Sequence, residues 1–111
     1  MAKSYIEVTH ENFPEQVLNS PRITIVNFSA DKIGACQILE PEFEAVSQEY
    51  NDRITFAKVN VEHQRDLAQQ WKVDGVPTLI FFKGGSELYR IEGVTMRDRL
   101  RRQIEGVLLA N

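Results

Sequence analysis

Ile23-Thr24-Ile25-Val26-Asn27-Phe28-Ser29-Ala30-Asp31-Lys32-Ile33-Gly34-Ala35-Cys36 carries the chain from an apolar run, through a tight loop, into a helical pattern. The first six residues are β-branched or apolar with one exception, which predicts an interior strand. Beyond the loop, Leu39, Phe43, Val46 and Tyr50 recur at helical spacing. Cys36, the one cysteine in 111 residues, therefore falls in the first turn of a helix leaving the end of a central strand. Unpaired N–H groups and the positive end of the helix dipole favour a thiolate or another anion there.

Working outward, Tyr5-Ile6-Glu7-Val8 reads as a short first strand. Asn12-Phe13-Pro14-Glu15 has the spacing of a helix start, with Asn12 as cap and Pro14 in the first turn, where its missing N–H costs nothing. Val17 and Leu18 then face inward and Ser20-Pro21 ends the segment. Pro41 interrupts the long helix and predicts a kink. Ile54 to Val61 reads as a third strand, and Leu67, Ala68 and Trp71 as a short helix opened by His63. The run Thr78-Leu79-Ile80-Phe81-Phe82 is continuously apolar, as in a strand covered on both faces. Lys83-Gly84-Gly85-Ser86 makes a hairpin turn into a last strand, Leu88 to Ile91. Thr95-Met96-Arg97-Asp98 is placed to cap a final helix with the core stripe Leu100, Ile104, Val107 and Leu108. Its arginines read as a solvated face, with Asp98 one turn from Arg102 and Glu105 one turn from Arg101. The order βαβαβαββα is that of an α/β protein with a mixed central sheet flanked by helices on both faces.

A chain of 111 residues fits one domain, taken as residues 1–111. Hydrophobic residues at 42% and charged residues at 26% describe an ordinary globular protein. A net charge of −3 argues against nucleic-acid binding. Met1-Ala2-Lys3-Ser4-Tyr5 lacks the apolar centre of a signal peptide and no run reaches transmembrane length, which gives a cytoplasmic expectation with no membrane partner. A lone cysteine excludes an internal disulfide and a four-cysteine metal site, so any disulfide is made with another molecule. His10 and His63 read as solvated, no metal-ligand spacing stands out, and no cofactor is expected.

The organising stretch resembles the active-site strand, loop and helix of the thioredoxin family, whose motif is W-C-G-P-C. Here the aligned residues are Lys32-Ile33-Gly34-Ala35-Cys36. Pro41 stands five residues past Cys36, as in the family's long helix. Lys58, Asn60 and Glu62 answer A-K-x-N-x-D, and Val73-Asp74-Gly75-Val76-Pro77-Thr78 answers V-x-G-x-P-T. The resemblance covers about Ile6 to Leu108 and implies the thioredoxin fold.

It also implies a chemistry that this chain lacks in part. The family's attacking thiolate is replaced by Ile33, an alkyl group that cannot open a disulfide, and the buried aspartate of V-D-F-W-A by Asn27, which takes up no proton. Ser29 and Lys32 replace the loop aromatics, and Ala35 the motif proline. Lys58, the family's partner for that aspartate, is retained with no partner legible. Cys36 has two readings: a shielded, inert thiol, or a slow thiol that forms mixed disulfides with glutathione or a partner protein. The docking features are kept. By resemblance Val76 offers its backbone to an extended peptide, Pro77 is cis, Gly93 lets the ligand approach, and Ile33 and Val94 complete an apolar patch. The resulting expectation is a protein or peptide binder without dithiol disulfide reductase activity; the alternative is a monothiol protein of cell redox homeostasis acting through Cys36.

Overall fold

The computed structural model describes residues 3–111; Met1 and Ala2, part of the stretch read for a signal peptide, lie outside the described residues. Five strands, β1 (Ile6–Glu7), β2 (Ile23–Ser29), β3 (Ile54–Asn60), β4 (Thr78–Lys83) and β5 (Ser86–Glu92), form one sheet in the order β1-β3-β2-β4-β5. Strand β2 runs parallel to β3 and antiparallel to β4, and every one of its seven residues is buried. An apolar, β-branched segment is stable there because it is paired on both edges and covered on both faces.

Helices α1 (Gly34–Tyr50) and α3 (Arg97–Ala110) cover one face. Leu39, Phe43, Val46 and Tyr50 of α1 and Leu100 and Ile104 of α3 meet Ile25, Ile54, Phe56, Leu79 and Phe81 of the sheet. The Phe43 ring packs against Tyr5 and Phe56 at centroid distances of 5.5 and 5.6 Å. Burying an aromatic ring of this size contributes roughly 2–3 kcal/mol. Helix α2 (Arg65–Gln70) and the turn at Pro14–Leu18 cover the other face, where Phe13, Trp71 and Phe82 pack edge to face or tilted. Helix α1 runs unbroken through Pro41. The β4–β5 hairpin turns on Gly84 and Gly85, both at positive φ (60° and 81°), the backbone a two-residue hairpin needs.

Three local readings are corrected. The segment after Asn12 is a five-residue π-type turn, Pro14–Leu18, and no side chain caps it. Asn12 Oδ1 turns back instead and accepts the Thr9 N–H at 2.7 Å, because an Asn beside a turn has a nearer backbone donor upstream. Thr95 does not cap α3 either; its buried hydroxyl has no partner among the described residues. Glu42 of α1 caps that helix across the interface, accepting Arg97 N–H at 3.0 Å while gripping the Arg97 guanidinium. Lastly, Arg101 pairs with Asp98 and with Glu49 of α1, and Glu105 pairs with Arg53, in place of the i,i+4 pairs expected along α3. Helix packing brought α1 carboxylates within reach of arginines that looked purely solvated. His10 and His63 are exposed, and His63 precedes α2, which begins at Arg65. Among the described residues no helix is long and apolar enough to cross a membrane.

Candidate functional site

Sheet register gathers three loops at one end of the molecule. Phe28, near the end of β2, pairs with Thr78 at the start of β4, which pairs with Glu92 at the end of β5. The Ala30–Ile33 loop, the Val76–Pro77 segment and the Gly93–Met96 loop all leave from this row. Ile33 is the N-terminal boundary residue of α1, with extended backbone (φ −89°, ψ 125°), and no side chain caps the helix there. The loop before it is held by Ile33 N–H to Ala30 O at 3.3 Å and by Gln37 Nε2, which donates to Asp31 O at 3.1 Å.

This geometry separates the two positions of the motif. Ile33 is 44% exposed, whereas Cys36 is 3% exposed, and its Sγ accepts the Ala30 N–H at 3.5 Å. The Val76–Pro77 peptide is cis. Gly93 N–H donates to Pro77 O at 2.8 Å and Thr78 Oγ1 donates to Gly75 O at 2.7 Å, which ties the loop to the end of β5. Gly93 has φ +88°, a conformation that disfavours any side chain, with open space where a Cβ would stand. Val94, Met96 and Ile38 are exposed apolar neighbours in the same loop and helix regions; Val76 is half-buried and Pro77 is buried, so the apolar patch expected of Ile33, Val76, Pro77 and Val94 is corrected to Ile33 and Val94 with part of Val76, the cis-proline ring packing inward at the start of β4.

Behind Cys36 lies a polar cluster. Asn27 and Lys58 are register partners in β2 and β3, with their side chains on the face covered by α1. Lys58 Nζ donates to Glu40 Oε2 at 2.8 Å, and the Tyr5 hydroxyl donates to the other oxygen of the same carboxylate. Lys3 Nζ donates to the Tyr5 hydroxyl at 2.9 Å and lies 3.5 Å from Glu40, while Asp31 is 4.0 Å from Lys58. A cavity of about 200 Å³ opens beside this cluster, bordered by Cys36, Glu40, Lys58 and Asp31 among others. Burial alone would push the Glu40 carboxyl up, but the bonds from Lys58 and Tyr5 and the ammonium charges outweigh it and hold it below the ordinary carboxylate range. Burial likewise pulls Lys58 down, and its bond to Glu40 more than restores it, so the ammonium titrates above its ordinary value. Asn27 is fully buried, and neither its Oδ1 nor its Nδ2 has a partner among the described residues.

Of the residues singled out in the sequence, Ile33, Val76, Pro77 and Gly93 lie in loops at one end of the sheet. Cys36 faces the cavity behind them with Ser29, and Lys32, Gly34 and Ala35 form the loop and helix start between. The cluster residues Glu40, Tyr5 and Lys3 escaped sequence reading. A signal for Glu40 was present: a carboxylate one helical turn after Cys36, in a chain where the uncharged Asn27 stands beside Lys58.

A mixed sheet of order β1-β3-β2-β4-β5, with a cis-proline loop at the end where a cysteine-bearing helix starts, defines the thioredoxin fold. The chain belongs to the thioredoxin family, whose sequence profile, Thioredoxin, matches residues 4–106. It is 36% identical over 104 residues to Thioredoxin X, chloroplastic, of Arabidopsis thaliana, spanning 92% of this chain and 57% of that protein. It is 34% identical over 96 residues to a thioredoxin of Buchnera aphidicola, spanning 86% and 89% of the two chains. Among solved structures, the crystal structure of Malassezia sympodialis thioredoxin (Mala s 13) superposes with a TM-score of 0.85 at 26% identity, covering 95% of this chain and 91% of that one.

Proposed function

We propose that this protein binds a protein or extended peptide across Ile33, Val76–Pro77 and Gly93, and that it has no dithiol disulfide reductase activity. The observation that carries the reading is the exposure of an alkyl side chain, Ile33, where the family's attacking sulfur would stand, above a sulfur that is buried. Disulfide exchange requires an accessible thiolate to attack and a second thiol to resolve the mixed disulfide. One cysteine supplies at most one of these roles. The exposed apolar residues Ile33 and Val94, together with the loop in which Gly93 bonds to Pro77, favour docking of an extended segment by its backbone. A second reading, a monothiol exchanging with glutathione or a partner, draws on the cavity that borders Cys36.

The test is dithiol-driven reduction of insulin by the native protein beside Ile33→Cys and Cys36→Ser. The expected result is a native rate equal to that of Cys36→Ser, with a gain for Ile33→Cys. A native protein that is clearly active, and inactive as Cys36→Ser, overturns the proposal in favour of the monothiol reading.

A further inference from the structure

Lys58 has a carboxylate partner, but it comes from the helix that carries Cys36 and not from the adjacent strand position, which is Asn27. We propose that Glu40 controls the reactivity of Cys36: by neutralising the Lys58 ammonium across the cavity they share, it denies the sulfur the role of that cation's counter-ion.

Cys36 and Glu40 stand four residues apart on one face of α1, and both border the cavity with Lys58. The other charged groups facing it are Lys3 from the segment before β1 and Asp31 from the loop after β2; Tyr5 bonds to Glu40 behind it. Two cations, Lys3 and Lys58, are thus balanced by two carboxylates, Asp31 and Glu40. The Lys58 side chain is only 15% exposed, so solvent screens it weakly. Removal of the Glu40 charge leaves one half-buried ammonium in excess. Asn27 offers it no charge, Asp31 is exposed and 4.0 Å away, and the remaining acidic group at the cavity is the Cys36 thiol. A cation so placed raises the thiolate fraction, and thiolate is the form that reacts.

This inference goes beyond the docking reading and stands on different residues, so its failure leaves that reading intact. The experiment is alkylation of Cys36 by iodoacetamide at pH 7.5, followed by intact mass, with fold checked by far-UV circular dichroism. In this reaction the sulfur displaces iodide, forming a thioether and releasing the thiol proton to buffer. Glu40→Gln is expected to react about tenfold faster than the native protein, the order of effect of one uncompensated charge acting across a shared, partly dry cavity. Lys58→Met is expected to react no faster than native, and the double variant to return to within about twofold of native. A Glu40→Gln rate at or below the native one overturns the proposal and makes Glu40 a proton acceptor or a bystander. A double variant as fast as Glu40→Gln also overturns it, because an opened cavity and not a charge would then be the cause.

Discussion

Replacing Glu42 by Ala removes the cap of one helix by deleting a side chain of another. In the native protein the Glu42 carboxylate accepts Arg97 N–H at 3.0 Å, Arg97 Nε at 3.1 Å and Arg97 Nη2 at 2.9 Å, and its side chain is only 11% exposed. Losing a capping acceptor costs about 1 kcal/mol. The two bonds to the guanidinium add about 1 kcal/mol more, discounted because Arg97 is itself half-exposed and recovers water. A destabilisation of about 2 kcal/mol lowers Tm by roughly 8 °C in a domain of this size. The pH dependence has a definite sign. The side-chain and backbone bonds from Arg97 draw the Glu42 carboxyl down from 4.5 to about 2. A carboxyl whose folded value is depressed stabilises fully above its unfolded value and loses that contribution as pH falls through the folded one. The gap between native protein and Glu42→Ala is thus full at pH 6 and mostly closed near pH 2.5. Urea unfolding at both pH values measures it. A difference below about 0.5 kcal/mol at pH 6, or an equal difference at both pH values, refutes the assignment of Glu42 as the cap of α3.

Two further outcomes follow from the same geometry. Asn27→Leu, which replaces a fully buried amide without partners among the described residues by an apolar group of similar size, is expected to stabilise the fold by about 1 kcal/mol in urea unfolding; destabilisation would mean that the amide is satisfied. Gly93→Ala is expected to cost about 1–2 kcal/mol, purely from the φ of +88°, since its Cβ meets open space; an unchanged midpoint would show that the loop relaxes to another conformation.

The thioredoxin fold was legible because its signals are local and periodic. A β-branched run ending at a helix start, apolar residues at helical spacing in α1 and α3, a continuous apolar β4 and a Gly-Gly turn each specify their element within a few residues. The short segment at Pro14–Leu18 was less legible. An Asn-x-x-Glu spacing is a helix signal only while the Asn side chain is free, and Asn12 had a nearer donor in Thr9.

The sequence by itself determined the family and which residues stand at its motif positions, Ile33, Asn27, Pro77 and Gly93 among them, since these depend only on which residue occupies a position. Tertiary structure alone decided which charges distant in the chain meet. Lys58 found Glu40, Arg97 found Glu42 and Arg101 found Glu49, each 18 to 55 residues apart in the chain. An ion pair is fixed by where packed helices and strands bring two long side chains within about 3 Å. No spacing along the chain encodes that distance, because the helix packing that sets it is the sum of the whole core.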